Sequence, residues 1–208
     1  MKNLIFVLSC LFSFSVAAQT VFSADQVVNN KSHTLLLDKS NNLPITGLVK
    51  DYYENSQLEY KMTYKDGKKD GLAKDYYENG QLKSEGTYED GDEDGLWQCY
   101  YENGQLKSEG TYEDGDEDGL WQCYYENGQL KSEGILILGM WNAGYWTYYY
   151  ENGQLSSEGN FSDSYHEGLH KEYYFNGQLS HEIYYDVGCC DVVFEICWDE
   201  SGNEITCP

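Results

Sequence analysis

Apolar and polar positions alternate in short runs along most of this chain, and the runs recur. Over 96–112, Trp97, Cys99, Tyr101, Leu106 and Tyr112 fall on one side of a period-2 pattern; Leu96, Gln98, Tyr100, Glu109 and Thr111 fall on the other. That alternation predicts half-buried antiparallel strands. The block Tyr-Tyr-Glu-Asn-Gly-Gln-Leu starts at Tyr76, Tyr100, Tyr124 and Tyr149, with variants at Tyr52 and Tyr173, a period of 24 residues with one interval of 25. Gly followed by an apolar residue keeps step at Gly47, Gly71, Gly95, Gly119, Gly144 and Gly168. Asn and Gly at this spacing would interrupt a helix every second or third turn.

Each period carries Asn-Gly between Glu and Gln, the dipeptide preferred in a two-residue type I′ hairpin turn. With Asn103-Gly104 as that turn, Tyr101 faces Leu106, Cys99 faces Ser108, and Trp97 lies over Gly110. Shifted by one or two periods, the same face carries Trp121, Cys123, Tyr125 and Leu130, then Trp146, Tyr148, Tyr150, Leu155 and Phe161. The fold class is therefore all-β, an elongated antiparallel β-meander of hairpin repeats. At about 4.8 Å per strand, six units extend roughly 60 Å, and Cys99 and Cys123 sit roughly 9.6 Å apart, too far for a disulfide.

The ends differ from the middle. Residues 1–18 combine Lys2, an apolar stretch and Val16-Ala17-Ala18 before Gln19, which predicts a cleaved secretory signal. The alternative, cleavage before a lipidated Cys10, conflicts with the apolar run continuing through Leu11, Phe12 and Phe14. Residues 19–34 read as a linker, 35–191 as the array and 192–208 as a capping hairpin. No later stretch approaches the roughly 20 apolar residues of a membrane span. In an oxidising compartment Cys189, Cys190, Cys197 and Cys207 are the disulfide candidates, with three pairings open. A three-residue loop at Ser201-Gly202-Asn203 would set Cys197 opposite Cys207.

Charge narrows the partners. There are 36 acidic residues against 13 basic ones, and the formal charge is -23. Every basic residue is Lys, so no guanidinium fork is available for phosphate, and nucleic acid is excluded as a partner.

The period Tyr-Tyr-Glu-Asn-Gly-Gln-Leu-Lys-Ser-Glu-Gly-Thr-Tyr, followed by Asp-Gly-x-x-Asp-Gly-Leu-Trp, resembles the bacterial MORN repeat variant, as in YwqK-like repeat proteins labelled antitoxins. Leu43-Pro44-Ile45-Thr46-Gly47 resembles the way such arrays open. The resemblance covers about residues 35–185. It implies a non-catalytic scaffold that binds a protein or cell-envelope component, and the signal sequence suits an immunity-type or envelope role.

Candidate chemistry is sparse. Asp90, Asp92 and Asp94, and again Asp114, Asp116 and Asp118, open like a calcium loop, but Tyr101 and Tyr125 stand where the twelfth-position acid belongs. Plain acidic turns are the alternative to a Ca2+ site, and no other cofactor is implied. His166-Glu167-Gly168-Leu169-His170 matches the His-Glu-x-x-His string, which works as a zinc site only on a helix. Asp51 and Asp75 share the inward face but lack a cleft. The fourth interhairpin loop replaces acids with apolar residues, and Leu136, Leu138, Met140 and Trp141 are the candidate partner contacts, unless they fold over the sheet and cap it.

Overall fold

The computed structural model describes residues 19–136, 144–162, 165–186 and 191–208. The signal segment, Leu138, Met140, Trp141, Cys189 and Cys190 lie outside these residues. No helix among the described residues is long and apolar enough to cross a membrane.

The strands are β1 (Val21–Ser23), β2 (Val27–Asn29), β3 (Leu36–Asp38), β4 (Gly47–Tyr52), β5 (Leu58–Lys65), β6 (Lys68–Tyr76), β7 (Leu82–Glu89), β8 (Asp92–Tyr100) and β9 (Leu106–Glu113). They continue as β10 (Asp116–Tyr124), β11 (Leu130–Leu136), β12 (Gly144–Tyr149), β13 (Leu155–Ser162), β14 (Tyr165–Tyr173), β15 (Leu179–Tyr185), β16 (Val192–Trp198) and β17 (Glu204–Ile205). From β4 to β17 every strand pairs antiparallel with its sequence neighbours, and β1 joins the edge parallel to β4, giving one 15-stranded sheet. At about 4.8 Å per strand this sheet extends roughly 70 Å along its hydrogen bonds.

The expected 19–34 linker is instead structured. β1 lies on β4, β2 pairs with β3, and Val27 packs with Ile45 and Val49 beside Phe22, Leu36, Tyr60 and Tyr64. Leu36 N–H donates to Gly67 O and Ile45 N–H to Leu36 O, so this segment closes the first hairpin. A terminal repeat has no neighbour on one side, and this segment supplies the apolar cover the next unit would have given.

The turn expectation changes. The Asn-Gly turn is a three-residue loop: Tyr101 N–H donates to Gln105 O and Gly104 N–H to Tyr101 O. Gly104 has φ +83°, whereas Asn103 is not among the residues with positive φ. In the first repeat Ser56 takes the glycine's place at φ +67°. The Asn103 side chain is bonded on both sides. Its Oδ1 accepts from Gln105 N–H at 2.9 Å, and its Nδ2 donates to Glu126 O of the next hairpin at 3.1 Å. The type I′ turn falls at the other end, where Asp90 (φ +50°) and Gly91 (φ +112°) join β7 to β8 with Glu89 opposite Asp92.

The three-residue loop moves the register by one, setting Tyr100 rather than Tyr101 opposite Leu106. A bulge beyond Leu106 moves it back, so Trp97↔Gly110, Gln98↔Glu109 and Cys99↔Ser108 pair as expected. The indole, however, covers a different glycine. Between β7 and β8 the pairing jumps from Thr87↔Asp94 to Glu85↔Gln98, and the surplus residues around Gly95 (φ +77°) tip Trp97 back over the preceding hairpin. A Cβ on Gly86 would stand 2.2 Å from the Trp97 ring; Gly110 has the same relation to Trp121, and Gly134 to Trp146 at 2.3 Å.

The Cys197–Cys207 disulfide is present, with Cα atoms 5.3 Å apart. Its register differs from expectation. Asp199 N–H donates to Asn203 O, and Cys197 faces Ile205, so Cys207 lies past the end of β17. Asp199 Oδ1 accepts from the Ser201 and Asn203 N–H groups, which fixes the loop one residue earlier than Ser-Gly-Asn alone suggests and moves the residue facing Cys197 by two.

Gly110→Ala is expected to destabilise the array by about 1–3 kcal/mol in urea unfolding, because the methyl has to displace the Trp121 indole from its place against Tyr112. Added to Trp121→Ala, the same change should cost less than the sum of the two, since the clash is then gone.

Candidate binding face

The sheet has two unlike faces. On one, aromatic rings run from hairpin to hairpin. Tyr88, Trp97, Tyr112 and Trp121 meet edge-to-face in sequence at 5.2, 6.1 and 5.3 Å between centroids. Each such contact adds about 0.5–1.5 kcal/mol beyond burial. Trp97 Nε1 donates to Thr87 O, whereas Trp121 and Trp146 leave buried Nε1 groups without a hydrogen-bond partner. Acidic side chains also point here: Tyr88 donates to Glu93 and Tyr112 to Glu117, and burial raises the Glu117 pKa. The free thiols Cys99 and Cys123 sit on this face, each between serines of the flanking strands. Asp51 and Asp75 are held apart by Tyr60, which pairs with both. Burial and then Asp51 push that phenol up to about 12.

His166 and His170 lie on β14, not on a helix. Their rings stack at 4.3 Å, with Phe161 and Tyr185 edge-on to both. His170 occupies the position of the repeat tryptophan: a Cβ on Gly159 would stand 2.3 Å from its ring, and its Nε2 meets Asn160 O. The string is thus a variant of the aromatic row, and two parallel rings with one nitrogen engaged do not converge on a metal.

The two acidic segments are not continuous loops. Only Asp90-Gly91 and Asp114-Gly115 are turns, while Asp92, Asp94, Asp116 and Asp118 belong to strands β8 and β10. Among the described residues, one group of three ligand-type side chains brings its donor atoms within 4.8 Å of one another, and it is His181, Glu195 and Cys197.

The second face is a polar ladder. Glu85 accepts from Lys74 and from Tyr100 Oη, Glu109 from Gln98 Nε2 and Tyr124 Oη, Glu133 from Gln122 Nε2 and Tyr149 Oη, and Glu158 from Tyr145 and Tyr173. The Lys74 hydrogen bond holds Glu85 below its ordinary pKa; burial, with the Glu109 hydrogen bond behind it, pushes Tyr124 up to about 12. Beside the ladder runs a row of exposed apolar side chains at equivalent positions: Leu72, Leu96, Leu120, Tyr145 and Leu169, between 40% and 54% accessible, with Ile135 opposite Leu120.

Strand alternation had put Gln98, Tyr100, Glu109 and Leu96 together on the outward face, yet the hydrogen bonds between hairpins were missed. The readable signal was the recurrence of Tyr, Gln and Glu at one spacing, since a group repeated every two strands meets its own copy's partner. Leu136, a candidate contact, is buried against β10 opposite Gly119 and is only 3% accessible, so it caps the sheet; Ile135 is the exposed member of that pair.

The family model of the MORN repeat variant matches six segments, 45–66, 69–90, 93–114, 117–135, 143–163 and 167–186, together more than half of the chain. The chain belongs to the MORN repeat variant family. No curated protein matches it. Among solved structures, a GtfA/B complex bound to UDP and GlcNAc aligns at 13% identity over 58% of this chain and 21% of that one. The chain thus spans about a fifth of that structure's length, and at a TM-score of 0.18 the likeness carries no argument.

Burial pushes the His170 pKa below its ordinary value, with His166 adding to the effect and the Asn160 carbonyl and Glu172 opposing it. A depressed imidazole pKa stabilises the fold fully above about pH 6.5, and that contribution is lost as the pH falls through the folded value. His170→Trp restores the repeat residue and removes the titration. Its urea midpoint should exceed that of the parent by a margin that widens from about pH 7.5 to about pH 5.5.

Proposed function

We propose that this protein is an exported, non-catalytic scaffold that binds another protein through its ladder face. The observation that carries this reading is the row of Leu72, Leu96, Leu120 and Leu169, exposed at equivalent positions on a sheet whose neighbouring polar groups are already bonded to one another. Apolar groups left outside at a fixed spacing supply the buried area of an interface, and the bonded ladder beside them needs no rearrangement to meet a partner. The acid excess of the chain selects a cationic partner and speeds its encounter. An envelope component or an incoming toxin neutralised by an immunity-type contact are the forms of partner that the family resemblance and the signal segment support. No cofactor enters this reading.

Export predicts that the protein recovered from its native envelope fraction begins at Gln19, which intact-mass measurement reads directly. Cross-linking and purification of the tagged protein should recover a stoichiometric basic protein, released by raised salt. The variant Leu96→Ser, Leu120→Ser, Leu169→Ser should lose it while melting within a few degrees of the parent. Equal recovery by the variant would move the contact off this face, and no specific recovery by either would end the scaffold reading.

A further inference from the structure

The last two long strands bring together a set of side chains that the binding reading does not use. His181 on β15 stands directly opposite Cys197 on β16, and Glu195, two residues before Cys197 on the same strand, shares its face. One donor atom from each of the three lies within 4.8 Å of the others, and Cys197 is 1% accessible. A fourth donor is adjacent, because Cys207 is bonded to Cys197. His, Cys, Cys and a carboxylate are ligands that Zn2+ takes in tetrahedral sites. Bond lengths of about 2.0–2.3 Å place such donors roughly 3.3–3.8 Å apart, so the widest pair in the cluster needs to contract by no more than about 1.0–1.5 Å.

Two further features suit a metal rather than an incidental cluster. Nδ1 of His181 lies 3.5 Å from Glu172 Oε2 and 3.1 Å from Ser180 Oγ. A carboxylate on one ring nitrogen fixes the tautomer and turns the other toward a metal. Cys207, moreover, lies past the β17 ladder, which ends at Ile205 opposite Cys197. Once the disulfide is open, the chain after Ile205 can swing its thiol to the fourth corner without disturbing the strands.

We propose that His181, Glu195, Cys197 and Cys207 form a zinc site that is available in the reduced protein and closed by the disulfide in the oxidised one. A dithiol reductant supplies two electrons and two protons to the Cys197–Cys207 bond, giving two thiols and the reductant's own disulfide. Zn2+ then binds the two sulfurs as thiolates, and their protons pass to solvent. Oxidation by the reverse exchange returns the disulfide and expels the ion. The end of the array is thereby stapled in either redox state, by a covalent bond in one and by a metal in the other.

The test uses the full chain with Cys10, Cys99, Cys123, Cys189 and Cys190 changed to Ser, so that the pair supplies the only thiols. Titrated with Co2+ as a spectroscopic probe, the reduced protein should develop thiolate-to-cobalt charge-transfer absorption and tetrahedral d–d bands at one equivalent, and Zn2+ should displace them. The oxidised protein should show neither. His181→Ala and Glu195→Gln, changes at partly exposed positions, should each weaken Zn2+ binding at least about tenfold, since loss even of an outer-shell partner costs that much. Zn2+ should also protect both thiols from alkylation. Absence of the charge-transfer band in the reduced protein, with circular dichroism unchanged, would overturn the proposal. So would binding by His181→Ala and Glu195→Gln as tight as the parent's, which would reduce the site to two cysteines.

Discussion

Along its repeats the described sheet packs against no second layer and has to find its core within its own surface, which it does by laying one hairpin's aromatic ring over the preceding hairpin's glycine. Trp97 on Gly86, Trp121 on Gly110 and Trp146 on Gly134 are three copies of that contact, and His170 on Gly159 is a fourth with a smaller ring. The glycine is required because any side chain would occupy the space of the ring. The bulge at Gly95 and its equivalents is required because a regular strand would aim the indole straight out of the sheet. Burial at this face is therefore partial almost everywhere, and few residues are fully enclosed.

What the apolar contact leaves incomplete, hydrogen bonds at fixed repeat positions finish. The hydroxyl of Tyr101 donates to Tyr124 O at 2.7 Å, and the same bond recurs from Tyr53, Tyr77, Tyr125 and Tyr150, and from Tyr174 to Trp198 O. Asn103 and its equivalents add a rung at each turn. Each such bond contributes about 0.5–1.5 kcal/mol, and because it joins one unit to the next it raises the coupling that makes a repeat array fold as a whole. Satisfaction of the polar groups within the sheet also explains how Tyr, Gln and Glu can line one face without needing a ligand there.

The ends solve the problem that repetition creates. Before the first repeat, β1, β2 and β3 cover Val49 and Ile45 with apolar side chains from outside the 24-residue pattern. After the last, β16 and β17 carry the edge onward, and the Cys197–Cys207 bond ties it off. The two caps have nothing in common chemically, as expected when each meets only one neighbour.

The hairpin architecture, the facing of Trp97 with Gly110 and Cys99 with Ser108, and the free state of Cys99 and Cys123 were legible in the sequence. Alternation with period 2 inside a 24-residue period admits no other regular pairing. The type of each turn was not legible, because Asn-Gly and Asp-Gly carry the same local preference. The choice between them came from Asn103 bonding Glu126 O, a partner 23 residues away. The expectation that Trp97 covers Gly110 fails for a similar reason: the indole can lean toward either flanking strand, and only the bulge between β7 and β8 directs it to Gly86. Residues 19–34, with no repeat to identify them, read as a linker, and contact with the first hairpin alone gave them a fold. The fate of Leu136 and the meeting of His181, Glu195 and Cys197 likewise depend on strands brought side by side. Local sequence determines which face a residue can occupy, whereas the packing of neighbouring strands decides what it meets there.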